Sequence, residues 1–182
     1  MEHIITIDEL RQLGRPISKQ IDNEKLTSYI YETERLNIKP VLGDKLFSIV
    51  LKAAIDSRKG EDSDVEERLV TLLDGGEYTD KRRNFHMLSG LRMAMSYYVY
   101  AQYVMDGDFQ LTRAGVMMKS SDYSQHVSSK ERSDCYNNAL EAARGFLSEV
   151  TMYIKHAFPE YYSSRNTNAG GPHGAITVRK IG

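Results

Sequence analysis

The stretch from Ser128 to Ala157 constrains the fold more than any other part of the chain. Ser128-Ser129-Lys130-Glu131 is a capping-box pattern, in which the serine hydroxyl accepts a first-turn amide and the glutamate reaches back to the cap. Behind it Tyr136, Leu140, Ala143, Leu147, Val150, Ile154 and Ala157 recur at three-and-four spacing and stay on one face for six turns. The spacing predicts one long amphipathic helix from about Ser129 to Ala157, which must bury that face against other helices.

A second apolar run supplies the opposite surface. Between Leu91 and Met105 only Arg92, Ser96 and Gln102 are clearly polar. Fifteen residues rise about 22 Å as a helix, short of the roughly 30 Å hydrocarbon core, so the run reads as a buried central helix and not a membrane span. We place this helix from Phe85 to Met105, closing at Asp106-Gly107-Asp108. Tyr97, Tyr98, Tyr100 and Tyr103, with Met93, Met95 and Met105, occupy three of its sides. A helix apolar nearly all round is a core helix before it is a ligand pocket.

Shorter elements precede these two. Thr6-Ile7-Asp8-Glu9 is another capping box, opening a short helix that ends near Gly14, with Pro16 discouraging continuation. Asp22 caps a helix from about Asn23 to Asn37 with Leu26, Tyr29, Ile30, Thr33 and Leu36 on its buried face. Pro40 suits the first turn of a third helix carrying Leu42, Leu46, Ile49, Val50, Ala53 and Ala54. The polar run Asp56 to Asp64 is a solvated connection. Ser63-Asp64-Val65-Glu66 reads as a capping box for a helix that buries Leu69, Leu72 and Leu73 and stops at Gly75-Gly76. The expected fold class is all-α: a multi-helix bundle with two long helices.

Two segments fall outside the helical pattern. Phe109 to Val127 has no stripe and reads as a projecting loop or a short β-hairpin of Phe109–Thr112 with Val116–Met118. From Pro159 onward glycine, proline and basic residues dominate, with Glu160 the only acid. The expected organisation is a helical domain over 1–158 and an extended, flexible C-terminal arm over 159–182, whose Ala175-Ile176-Thr177-Val178 has strand character suited to a partner's sheet edge. Tyr161 and Tyr162, followed by Arg165, have an interface composition, with packing on the chain's own domain as the alternative.

Composition narrows function mainly by exclusion. The chain has 182 residues, 24 basic against 25 acidic, and one cysteine. A single cysteine excludes a disulfide scaffold and a cysteine-rich zinc module. A net charge of −1 excludes bulk electrostatic binding of nucleic acid, leaving only local patches such as Lys81-Arg82-Arg83. The N-terminus lacks a basic region followed by an apolar stretch, so the expectation is a soluble chain kept in reducing cytosol. Metalloprotease, phosphate-loop, nucleophile-elbow and dinucleotide motifs are all missing. The five histidines, His3, His86, His126, His156 and His173, have no metal-ligand spacing. Asp106-Gly107-Asp108 begins like a calcium loop but has Met117 where the bidentate glutamate belongs. Cys135 would need a neighbouring histidine to become a catalytic thiolate, and His126, near it in sequence, lies outside the helix. No catalytic residue, cofactor or metal is assigned.

The order of features is itself informative. Ile21-Asp22-Asn23-Glu24-Lys25-Leu26-Thr27-Ser28-Tyr29-Ile30 is followed by Glu32 and Glu34, then by Ile38-Lys39-Pro40-Val41-Leu42-Gly43-Asp44-Lys45-Leu46. Leu72-Leu73-Asp74-Gly75-Gly76-Glu77-Tyr78, Gly90-Leu91-Arg92-Met93-Ala94 and Thr112-Arg113-Ala114-Gly115-Val116-Met117 come next. Over residues 4–158 this resembles the small α-helical head–tail connector proteins of tailed bacteriophages, also called head-completion or adaptor proteins. The resemblance implies a non-enzymatic structural virion protein, from a lytic phage or a prophage. It would assemble in the host cytoplasm into a ring of about a dozen copies beneath the portal, at the virion neck. Such a ring extends the DNA channel, passes DNA without reading its sequence, and gives tail or stopper proteins a docking surface. On this reading Phe109, Leu111, Met117 and Met118 of the loop, with Tyr161, Tyr162, Arg165, Arg179 and Lys180 of the arm, are interface candidates. Lys81, Arg82, Arg83 and Lys119 are channel-facing candidates. A helical DNA-binding regulator predicts instead a contiguous basic face and salt-sensitive DNA binding. A small helical enzyme predicts a deep polar pocket joining His86 or His126 to a carboxylate.

Overall fold

The computed structural model describes residues 2–59, 65–106 and 128–161, together with the backbone of Phe109–Thr112 and Gly115–Met118. It is mainly helical. In chain order the elements are α1 (Ile7–Gln12), α2 (Asn23–Thr33), a π-helical turn (Glu34–Ile38), α3 (Lys39–Leu42), α4 (Asp44–Asp56), α5 (Glu67–Asp74), β1 (Gly76–Thr79), β2 (Phe85–Leu88), α6 (Leu91–Asp106), β3 (Phe109–Thr112), β4 (Gly115–Met118) and α7 (Ser129–Ala157). Among the described residues no helix is long and apolar enough to cross a membrane.

The two longest helices form where their patterns place them. α7 opens on a complete capping box: Glu131 N–H donates to Ser128 Oγ at 3.2 Å, and Ser128 N–H donates to Glu131 Oε2 at 3.0 Å. Its stripe buries Ala143, Leu147, Val150 and Ile154, joined by Ala139 and Tyr153, while Tyr136, Leu140 and Ala157 are half-buried. α7 lies along α6, with Tyr97 and Phe146 meeting at 5.2 Å. α6 is the core helix: Leu91, Ala94, Met95, Tyr98, Val99 and Ala101 are all buried. α2 covers another side of it, and Tyr29 meets Tyr103 edge-on at 6.4 Å. The Thr6–Glu9 capping box also forms and opens α1.

Several sequence expectations are corrected, each for a local reason. The helix expected over Asn23–Asn37 changes pitch at Glu34. Lys39 N–H donates to Glu34 O five residues back, and the wider turn shifts the register. Leu36, expected in the core, is therefore 68% exposed, and Ile38 takes the buried position. Pro40 does lie in the first turn of α3, but Gly43, at φ +77°, divides the expected third helix into α3 and α4. α5 starts at Glu67 with Glu66 as its cap, so Ser63 does not open it, and residues 63 and 64 lie outside the described ones.

The largest correction concerns Phe85. The central helix begins at Leu91, and Phe85–Leu88 is a strand paired antiparallel with Gly76–Thr79, with Gly76 opposite Leu88 and Thr79 opposite Phe85. The expected hairpin after α6 is present as well, with Phe109 opposite Met118 and Thr112 opposite Gly115. The molecule is thus mainly α with two small hairpins, where the sequence reading expected helices with a projecting loop or one short hairpin after α6.

Candidate assembly surface

The β1–β2 hairpin rests on a turn organised by one side chain. Asp80 Oδ1 accepts the amides of Arg82 and Asn84, both at 2.8 Å, while Oδ2 accepts Asn84 Nδ2 at 3.0 Å and lies 3.2 Å from His86 Nε2. Asp80 N–H donates to Asn84 O at 3.0 Å, and Arg83 takes a left-handed φ of +65° to close the loop. The Asn84 amide first, then the Asn84 side chain, the His86 ring and the Arg82 amide, hold the Asp80 carboxyl well below the usual carboxylate range. Lys81, Arg82 and Arg83 are thereby placed, exposed, at the tip of a hairpin and not on a helix approach.

Strand alternation then sorts the side chains onto two faces. Tyr78 and His86 oppose each other and stack at 4.9 Å, and Leu88 on the same face is buried. That face seats on α7, where Tyr78 meets Tyr153 at 4.9 Å and His156 at 5.3 Å. Burial pushes the Tyr78 hydroxyl above its ordinary range, helped by the Asp80 and Glu149 charges. Glu149 accepts the Ser89 amide at 3.0 Å, tying the strand's exit to α7. The other face carries Phe85, 61% exposed, and Met87, 73% exposed, opposite Thr79 and Glu77. A short β-ribbon with two large apolar side chains outward and three cations at its tip has the composition of a docking element.

Residues 38–171 match the model of a family of unknown function, DUF6712. The chain belongs to that family. No curated protein and no solved structure matches it.

In this DUF6712 chain the sequence candidates are distributed unevenly. Tyr161 follows a helical turn after Pro159 and packs half-buried beside Phe158, ring centres 6.4 Å apart, so it is part of the domain's own packing. Arg68 secures that corner: its guanidinium lies 4.6 Å from the Phe158 ring and donates to Ala157 O at 2.8 Å. Tyr162, Arg165, Arg179, Lys180 and Lys119 lie outside the described residues, as do His126, His173, and Gly107 and Asp108 of the acid-glycine turn. Phe109, Leu111, Met117 and Met118 stand on β3 and β4, where only the backbone is described.

Cys135 is half-buried, its Sγ 3.7 Å from Tyr100 Oη and 3.8 Å from Arg15 Nη1. His86 does meet a carboxylate, but Asp80 is committed to the turn. Among the described residues no group of three or more His, Cys, Asp or Glu side chains is arranged to hold a metal. Phe85 and Met87 escaped the sequence reading because Phe-His-Met-Leu extends the apolar run of α6 backwards. The available signal was Asp80-x-x-x-Asn84 between two short segments, bounded by Gly75-Gly76 and Gly90.

Asp80→Ala is expected to speed amide exchange at Arg82 and Asn84 by roughly tenfold or more while the helices keep their protection, read by hydrogen-exchange NMR. Acid should lower the protection factors of the same amides in the wild type, measured against the slower intrinsic exchange at low pH. A carboxylate whose folded value is depressed contributes fully above its unfolded value, and the contribution is lost as pH falls through the folded one. The hairpin tip should therefore loosen only below the ordinary aspartate range. Unchanged exchange in both experiments would remove Asp80 as the organiser.

Proposed function

We propose that this chain is a structural subunit of a tailed-phage virion: a head–tail connector that forms a ring beneath the portal, prolongs the DNA channel and receives tail or stopper proteins. The observation that carries the reading is the β1–β2 hairpin, which turns Phe85 and Met87 outward beside the cationic tip of Lys81, Arg82 and Arg83. The likeness to connector proteins over residues 4–158 supplies the biological context. On this reading α6 and α7 form the body of a bundle whose neighbours pack side by side. The β3–β4 hairpin and the residues after Tyr161 reach adjacent copies or the portal. Phe85 and Met87 enter an apolar site on the next protein, and the tip cations meet acidic groups or the phosphates of passing DNA. Repetition around the ring multiplies contacts that are individually weak.

The test is co-expression with a tailed-phage portal protein from the same genome, should its neighbouring genes encode one, followed by light scattering and negative-stain microscopy. The wild type should co-elute as a ring. Phe85→Glu with Met87→Glu should weaken association about a hundredfold with helical content unchanged, because two apolar anchors are replaced by charges. A chain that stays monomeric and ignores the portal overturns the proposal. Salt-sensitive binding to duplex DNA by that monomer would favour the regulator instead.

A further inference from the structure

Apart from the hairpin residues, α2 and the segment before α1 flank a cleft of about 460 Å³, lined by His3, Thr27, Ser28, Tyr31 and Glu32. One wall is built with unusual care. Glu34, 2% exposed in the π-helical turn, accepts Ile4 N–H through Oε1 at 2.6 Å and His3 Nδ1 through Oε2 at 2.9 Å. A carboxylate only accepts, so Nδ1 carries the proton of that bond, and in the neutral ring Nε2 keeps the lone pair. The His3 side chain is 10% exposed, and its Nε2 is buried with no hydrogen-bond partner among the described residues. Widened helical turns of this kind recur at functional sites. Here Glu34 stands at the start of the turn, where it meets the His3 ring.

The remaining lining has the same polarity. Thr27 Oγ1 donates to Asn23 O at 2.8 Å and Ser28 Oγ to Glu24 O at 3.1 Å, which uses both hydroxyl hydrogens and leaves acceptor lone pairs. Glu32 adds an exposed carboxylate. Tyr31 stands edge-on to His3 at 6.5 Å and already draws the Arg35 guanidinium to 5.3 Å from its ring centre. Apart from the Tyr31 hydroxyl, which can act either way, every polar side chain of the lining presents acceptors. The fitting ligand is therefore a donor with positive charge. A bare divalent metal fits poorly, because His3 and Glu32 supply two ligands where protein sites use three or four.

We propose that this cleft binds a primary ammonium or guanidinium group. Glu32 supplies the countercharge, the Thr27 and Ser28 oxygens accept its hydrogens, the Tyr31 ring flanks it, and the adjoining His3 ring, whose Nε2 lacks a partner, reports its arrival. The group is either a lysine or arginine side chain of another polypeptide or a free polyamine. The site is independent of the hairpin, so it stands or falls apart from the connector reading.

The full chain, with nitrogen-15 in its histidine rings, is titrated with acetyl-arginine-amide, agmatine and putrescine, and with acetate and zinc chloride as controls. The His3 Nε2 resonance should shift saturably with the cations and stay fixed with acetate. Glu32→Gln, a surface change that leaves the His3–Glu34 pair intact, should weaken binding about tenfold or more. Tighter binding of acetyl-arginine-amide than of the free amines identifies a polypeptide side chain, and the reverse order identifies a polyamine. The proposal is overturned if the amines leave Nε2 unmoved, if acetate shifts it equally, if Glu32→Gln binds as the wild type does, or if zinc binds stoichiometrically and the amines do not displace it.

Discussion

Arg92→Met is expected to lower the stability of this chain by about 2 kcal/mol, and its melting temperature by roughly 5 °C. Arg92 is the one cation within the buried stretch of α6, its side chain 9% exposed. Its Nε donates to Ile4 O at 3.2 Å, Nη1 to Asp74 Oδ1 at 2.5 Å and Nη2 to Ser57 Oγ at 3.3 Å, with Glu9 Oε1 at 3.5 Å. One guanidinium thus ties the segment before α1, α1 itself, the end of α4 and the end of α5 onto the start of α6. Methionine fills much of the volume, but Ile4 O then keeps only its Arg58 donor and the half-exposed Asp74 must turn to water, so the cost is the loss of charge-assisted bonds that join four segments. Lysine should rescue little, because a single ammonium does not span three directions at once. Glu9 adds a pH signature. Burial alone would raise its carboxyl, but the Arg58 hydrogen bond, the Thr6 amide and the charges of Arg92 and Arg58 outweigh that and hold it below the usual glutamate range. Its contribution is present above the unfolded value and fades as pH falls through the folded one, so the wild-type advantage over Arg92→Met should narrow in acid. Calorimetry at neutral and acidic pH decides it, and a loss below about 1 kcal/mol would mean that water replaces the guanidinium at little cost.

What the sequence made legible depended on how local the cause was. Thr6–Glu9 and Ser128–Glu131 are pairs three residues apart that satisfy each other, so both caps could be read directly. The six-turn stripe of α7 is equally local, since period alone fixes which residues face inward. The π-helical turn was not legible, because the contacts around Glu34 are to His3 and Ile4, about thirty residues away. Leu36 fits the helical stripe perfectly in sequence and is nonetheless turned out to solvent. The hairpin was half legible. Gly75-Gly76 announced a stop, but the four residues Phe85–Leu88 are too few for period to distinguish strand from helix, and the adjacent apolar run decided wrongly. Of the proposed docking surface, Lys81, Arg82 and Arg83 were found as a charge cluster, whereas Phe85 and Met87 needed the strand register to show that they face outward. The cleft offered no pattern, since its histidine and its buried glutamate carry no motif and meet only in the folded chain.

Gly90→Ala is expected to cost about 3 kcal/mol, and the reason lies in that same junction. Gly90 sits at φ +90°, where an L side chain is strained, and a Cβ there would lie 2.6 Å from Asp74 C, 2.6 Å from Gly75 N and 2.8 Å from Leu73 O. All three are backbone atoms of the end of α5, which cannot swing aside as a side chain tip would. The approach is mutual, because a Cβ added at Gly75 would in turn press on the backbone of Leu88 and Ser89. The chain entering the hairpin and the chain leaving it pass close enough at this point that neither tolerates a methyl group. Gly43 supplies the control, with a similar φ of +77° and nothing within 4 Å of an added Cβ. Gly43→Ala should therefore show the conformational strain alone, about 2 kcal/mol at its φ +77° and ψ 162°, and the difference between the two variants measures the close approach. Urea denaturation gives both values, and hydrogen exchange should show that Gly90→Ala also releases the amides of Gly76–Leu88 while Gly43→Ala leaves them protected. If the two variants cost the same, backbone strain accounts for both, and the hairpin is held by its seat on Tyr153 and His156 rather than by its glycine hinge.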